Sequence, residues 1–193
     1  KLHLRPYPCS GYGIPFYKNP GSRRFYAQPD GYLTDHYREH NAATANFVIR
    51  NDRYLFQEGI SCSSMGVPFS ACHRPADGAF GVNPNIVELG DNLWWMLAYL
   101  NSALVTYLIR GVLLRSNMIT SGYVGQLPMV PLDGHRKHVL ADLARAGRNG
   151  AQKGQNLQAV MAAVDEQIWN FLGFSPPVIA HINGFCRDVR RLA

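Results

Sequence analysis

The sequence predicts an α+β fold: a small mixed β-sheet body with a buried central helix, followed by a C-terminal helical hairpin or bundle. Three observations carry that expectation. Residues 46–89 place short β-branched and aromatic runs between Gly, Pro and Asp turn formers. Leu93 to Ile109 is apolar around most of its circumference, as a helix covered on several sides must be. From Val139 to Leu172, apolar residues recur at intervals of three and four. The boundary falls between an α+β body over residues 1–133 and a helical region over 134–193.

The elements follow in order. The first 45 residues are rich in Pro, Gly and Tyr and read as loops with short extended pieces. Phe47-Val48-Ile49 and Tyr54-Leu55-Phe56 flank "RNDR", which predicts a hairpin. A second pair, Val67 to Cys72 and Ala79 to Val82, is joined by "RPADG", and Ile86 to Leu89 adds a short strand. Asp91 is the expected N-cap of the central helix and Gly111 its stop. The stretch from Arg110 to Leu132 reads as irregular or extended and closes on Pro128 and Pro131. Val139, Leu140, Leu143 and Ala144 mark the next helix. "GRNGAQKG" is expected to break it, with Gly147, Gly150 and Gly154 forming a flexible hairpin loop. The following helix ends at Gly173, and Ser175-Pro176 opens the last one.

Composition narrows the class of function. A hydrophobic share of 47% over 193 residues supports a real core, and 17% charged residues is too few for a disordered chain. The net charge of +6 favours a polyanionic partner. Cys9, Cys62, Cys72 and Cys186 form no CxxC pair, which fits free thiols in a reducing cytoplasm. The Leu93 to Ile109 run is slightly short for a membrane span and carries Asn101, Ser102 and Thr106, so it reads as a core helix. Lys1 to Pro6 has neither the apolar stretch nor the cleavage site of a signal peptide, and without an initiator Met it suggests a piece of something longer.

A catalytic reading finds little to build on. There is no GxSxG elbow, no GxxxxGK[ST] phosphate loop and no dinucleotide fingerprint; "GYG" at Gly11 to Gly13 is a lone pair of glycines. No PD…[DE]xK set is present to hold a metal against a phosphodiester. "KNPG" and "VNPN" contain Asn-Pro, but neither continues to Pro and an aromatic, the signature that grips an extruded base. His135 and His138 sit beside Arg136 and Lys137 and read as a solvated basic face rather than a metal pair. Asp165 and Glu166 are adjacent and diverge on a helix. The reading assigns this chain no catalytic residue, no metal and no cofactor.

Five strings occur in order: "FYKNPGSRRFYA" (Phe16 to Ala27), "YLFQEGISCSSMGVPFSACH" (Tyr54 to His73), "LAYLNSALVTYLI" (Leu97 to Ile109), "YVGQLPMVPL" (Tyr123 to Leu132) and "AAVDEQIWNFLGFSPPVIAHI" (Ala162 to Ile182). This succession resembles the C-terminal target recognition (specificity) domain of adenine-N6 DNA methyltransferases. The types it is most similar to are TaqI-like enzymes, fused restriction-modification enzymes and the methylases of BREX phage-defence systems. Phe25 stands where Trp is common, Cys62 takes a usual Trp place, and Gly125-Gln126 replaces Gly-Asp. The resemblance implies a reader of double-stranded DNA in a prokaryotic cytoplasm. It implies also a methyltransferase catalytic domain in the same parent polypeptide, and S-adenosylmethionine bound there rather than here. The rival reading is a protein-interaction module that docks other subunits of a defence complex through its helical region.

Within that reading, the candidate DNA-binding residues are Lys18, Arg23, Arg24, Ser61, Ser63, Ser64, Arg110, Arg115, Asn117, Thr120 and Tyr123. Cations dock phosphates, and planar or hydroxyl groups read base edges. Adjacent residues in an extended segment point opposite ways, so one of Arg23 and Arg24 faces DNA while the other pairs internally; the sequence leaves open which. The serines of "GISCSSMG" either contact DNA or hold their own turn through hydroxyl-to-backbone bonds. Arg110 to Tyr123 either present donors beyond a rigid helix or form a solvated connection. Trp94, Trp95, Met96 and Tyr99 read as core rather than a base-stacking platform.

Overall fold

A computed structural model describes residues 3–44, 48–49, 51–66, 68–113 and 117–191, the side chains of the last two excepted. The fold is α+β, with two four-stranded mixed sheets rather than one. The first sheet runs β1 (Leu4–Arg5), β4 (Gly31–Leu33), β2 (Ile14–Tyr17), β7 (Ala79–Phe80), with β7 parallel to β2. The second runs β3 (Phe25–Tyr26), β6 (Ala71–Arg74), β5 (Gly59–Cys62), β8 (Asn85–Val87), with β3 parallel to β6. Strands consecutive in sequence are thus mostly not partners, and the chain passes back and forth between the sheets. "RPADG" is accordingly not a hairpin turn: β6 before it and β7 after it belong to different sheets. The expected short strand near Ile86 is present as β8.

The "RNDR" hairpin is not found either. Among the described residues, 48–49 and 54–56 carry no strand, and Asp52–Tyr54 form a 3-10 turn instead. The reason is packing: Leu55 turns into a small core with Leu33, Tyr37 and Ala79, where Tyr37 opens α1 (Tyr37–Ala43). Phe47 and Arg50 lie outside the described residues.

The central helix is two helices. α2 (Leu93–Leu100) starts after a 3-10 turn at Gly90–Asn92 that contains Asp91, so Asp91 is not the cap. Asn92 Oδ1 accepts a 2.8 Å bond from Trp95 Nε1. α3 (Ala103–Tyr107) follows at a bend of 69° between the segments Gly90–Leu100 and Ala103–Leu113. Gly111 does not stop the helix but lies inside a π-helical stretch, Leu108–Leu113. Among the described residues, no single helix is long and apolar enough to cross a membrane. Both halves are instead largely enclosed, with Leu97, Ala98, Val105 and Ile109 fully buried.

α4 (Ser121–Gly125) then leads to α5 (Gly134–Gln152), α6 (Gln158–Leu172) and α7 (Pro176–Arg191). α5 runs straight through Gly147 and Gly150, two of the three glycines expected to break it, while Gly154 lies in the turn beyond its end. Asp133 caps its N-terminus by accepting from Arg136 N at 2.8 Å, and this bond holds the Asp133 carboxyl below the usual carboxylate range. Gly173 ends α6 at φ 62, and Pro176 opens α7. One continuous core joins Phe25, Ile60 and Phe69 of the body to Leu140, Val164 and Ile168 of the helical region.

Gly147 explains the uninterrupted α5. A Cβ there would stand 2.8 Å from Cδ2 and 2.9 Å from Cγ of Phe25, whose ring is fully buried. The glycine is a notch for an aromatic ring, not a hinge. Gly147→Ala would gain about 1 kcal/mol of helix propensity on an open surface. Here the methyl meets an immobile ring, and overpacking of that kind costs about 1–3 kcal/mol. The expected outcome is a net loss of stability, read as a lower denaturation midpoint with an unchanged m-value.

Candidate nucleic-acid interface

Three loops far apart in sequence interlock at one end of the domain. Asn19 Oδ1 accepts from Gly21 N at 3.1 Å, closing its own turn, and from Ser64 N at 3.2 Å. Ser70 Oγ donates to Gly21 O at 2.5 Å. Ser64 O accepts from Ile119 N at 2.8 Å, and Arg110 donates to Gly66 O. The segments 18–23, 63–66 and 117–120 are therefore tied to one another by one backbone bond and by side-chain bonds to backbone groups. Rigidity of that kind is what a loop surface needs to present side chains in register.

The two arginines part company in this frame. Tyr26 N donates to Arg24 O at 2.7 Å across Phe25, which adopts φ 63: a tight γ-turn in a conformation costly for an aromatic residue. Packing of the Phe25 ring in the Gly147 notch holds that turn. Arg24 reaches inward, donating to Asn101 O and lying 3.3 Å from Met161 Sδ. Arg23 stays outside, its side chain 51% exposed with only a loose 3.9 Å ion pair to Asp30. Arg23 is the arginine available to a ligand; Arg24 is a structural cation.

The serines divide in the same way. Ser61 is buried and its Oγ donates to Asn85 Oδ1 at 2.6 Å. Ser63 is fully buried and its Oγ accepts from Ser70 N at 3.1 Å. The Ser61 hydroxyl ties β5 to β8 and that of Ser63 holds the β5–β6 connection, and both residues are buried. Ser64 is half-buried, next to the exposed Met65. Arg110 is half-buried, and burial lowers the pKa of its guanidinium, which braces the Gly66 turn. Lys18, Asn117 and Thr120 are exposed on the interlocked loops, whereas Tyr123 packs partly against the main core. Arg115 lies outside the described residues. The expected set thus contracts to Lys18, Arg23, Ser64, Asn117 and Thr120 at the surface, with Arg24, Ser61, Ser63 and Arg110 behind them.

Two features were not anticipated from the sequence. Arg23 also borders an open groove of about 530 Å³ between the β3 segment and the turn joining α5 to α6, where Gln28, Gln152 and Gln155 line the walls. Residues 147–154 read as a loop, so nothing in the sequence placed the end of α5 beside Arg23. The second is a polar chain behind β3. Arg148 Nε donates to His73 Nδ1 at 3.2 Å, and His73 Nε2 lies 2.8 Å from Glu58 Oε1. The His73 ring stacks on Trp94 at 4.9 Å between centroids. With Nδ1 accepting, the ring is neutral and its proton sits on Nε2, donated to Glu58.

Trp95 and Tyr99 are buried, as core residues, and Tyr99 Oη donates to Pro128 O at 2.7 Å. No two of the four cysteines form a disulfide, and burial pushes the Cys62 thiol up to about 12. Among the described residues, no three His, Cys, Asp or Glu side chains converge as a metal site. No protein-family model and no curated protein matches the chain.

Two outcomes test this division. Arg24→Ala removes a charged donor from a part-buried carbonyl, a loss worth about 1.5–3 kcal/mol, while Arg23→Ala at the exposed position stays within about 0.5 kcal/mol; urea unfolding compares the two. Burial lowers the His73 pKa from its ordinary value, against a smaller upward pull from Glu58. The unfolded chain therefore binds this proton first. The stability His73 contributes is complete above about pH 6.5 and is lost as pH falls towards the folded pKa. Melting temperatures followed from pH 7.5 down to 5.5 should fall less steeply for His73→Gln than for the parent chain.

Proposed function

We propose that this chain reads double-stranded DNA as the target recognition domain of an adenine-N6 DNA methyltransferase in a prokaryotic cytoplasm. In this reading it positions the duplex for a catalytic domain of the same parent polypeptide. S-adenosylmethionine belongs to that other domain, which flips and methylates the adenine. The observation that carries the reading is the interlocked loop end, where Lys18 and Arg23 stand exposed beside the polar side chains of Ser64, Asn117 and Thr120. Cations to dock a backbone and short polar groups to approach bases are thereby held on one rigid surface. The net charge of +6 and the order of the five strings support the same conclusion.

A second reading, a module that docks another protein subunit, draws on a different face. An apolar pocket of about 250 Å³ lies between β8, α2 and α4, lined by Ile86, Met96, Leu100, Val124 and Met129. Of these, Met129 is 60% exposed.

A salt titration separates the readings. Duplex binding through phosphates falls linearly in log K against log salt, with a slope of about −0.9 for each phosphate neutralised. Arg23→Ala should weaken binding to every sequence alike and reduce the slope by about one. Failure to bind any duplex at low salt, even by the full-length parent, would reject DNA reading and favour the docking module. Loss of sequence preference without loss of general affinity would reject the backbone role given to Arg23.

A further inference from the structure

We infer that the groove between β3 and the α5–α6 turn reads the edge of an adenine·thymine pair through its glutamine amides. The inference rests on the DNA-reading function proposed above and adds to it a second contact surface, contributed by the helical region.

Gln28 follows β3, Gln152 is the last residue of α5, and Gln155 lies in the turn beyond it. All three are exposed. Among the described residues the side-chain amides of Gln28 and Gln155 have no hydrogen-bond partner, and Gln152 Oε1 receives only a 3.5 Å contact from Arg148. A primary amide carries an acceptor and a donor side by side. That pair matches the N6 donor and N7 acceptor that adenine shows in the major groove, whereas guanine presents two acceptors there and calls for two donors. A carboxylate, the group that accepts from cytosine N4, is absent from the groove lining.

The walls are held in place. The Phe25 ring against Gly147 fixes α5 to β3, the two elements that carry opposite sides of the groove. At the turn, Gln155 N donates to Gly150 O at 2.9 Å and Lys153 N to the same oxygen at 3.1 Å. Gly154 adopts φ 68, which lets the chain reverse directly after Gln152. Arg23 stands at the rim of this groove and also on the interlocked loops. A strand docked at Arg23 thereby brings its neighbouring base edges towards the three amides.

The test is selection of bound duplexes from a randomised library by the intact chain, followed by sequencing. The parent chain should enrich A·T at one or two positions of its site. Gln155→Ala, Gln152→Ala or Gln28→Ala should lower that discrimination roughly tenfold at one position and leave non-cognate affinity and the salt slope unchanged. Gln155→Glu should move the preference at its position towards cytosine. The positions are exposed, so a melting curve suffices to show that each variant folds. Unchanged base preference in all the glutamine variants, with specific binding intact, overturns this inference alone. A uniform loss of affinity for all duplexes also overturns it, because the groove would then hold backbone only. No duplex binding by the parent protein removes the DNA reading itself, and this inference with it.

Discussion

The fold depends on one buried amide. Asn101 is fully enclosed where α2 meets α3. Its Nδ2 donates to Ala71 O at 2.8 Å and to Leu97 O at 2.9 Å, and its Oδ1 accepts from Ala71 N at 3.1 Å. The side chain thus pairs with both backbone groups of Ala71, much as a neighbouring strand would. The Asn101 carbonyl, freed by the break in the helix, takes Arg24. One residue on, Ser102 Oγ accepts from Val105 N at 3.2 Å and Ala103 N donates to Asp165 Oδ1 at 2.7 Å. Breaking a helix inside a core exposes backbone groups that must each find a partner, at a cost of about 1–3 kcal/mol for any left unmet. Here β6, the arginine segment and α6 supply those partners.

That requirement gives the five ordered strings a shared physical meaning. Arg24 comes from the first, Ala71 from the second, Asn101 from the third and Asp165 from the fifth, while Tyr99 ties the fourth through Pro128. They converge on the bend between α2 and α3. The Phe25–Gly147 contact works beside it, since the ring seated in α5 keeps the γ-turn that sends Arg24 inward. The 69° bend and the strained φ of Phe25 are therefore coupled: relaxing either would free a polar group that the other holds.

How much of this the sequence disclosed follows from what each signal measures. Periodicity located α5 and α6, because an amphipathic face leaves its pattern in one helix regardless of its neighbours, and the Ser175-Pro176 start signal located α7. The α+β class followed from these helices together with the short β-branched and aromatic runs of residues 46–89. Sheet pairing was not legible. Local turn formers suggested hairpins at "RNDR" and "RPADG", but partners were chosen by burial, with Leu55 entering the small core and β6 and β7 joining different sheets. Gly147 misled because a glycine reads alike whether it frees a backbone or admits a ring; only Phe25, 122 positions earlier in sequence numbering (147 − 25), decides between them. At the site, the alternation of Arg23 and Arg24 was legible, but its direction required knowing where Asn101 lies. The groove glutamines left no signal at all, since exposed amides at a turn are ordinary.

Two groups of polar residues do different work in this domain, and their burial separates them. Arg24, Ser61, Ser63, Asn101 and Asp165 have their hydrogen bonds met inside the protein. Each fixes one loop or helix end against another. Lys18, Arg23, Gln28, Asn117, Thr120 and Gln155 stand on the elements so fixed and are exposed. The proposed reading of DNA needs both, because a base-edge contact discriminates only if its donor and acceptor are held to a fraction of an ångström. An outer residue is then free to vary without loss of the fold, while an inner one is not. The two adjacent arginines of "NPGSRRFYA" compress that division into two positions: Arg24 belongs to the frame, and Arg23 to what the frame presents.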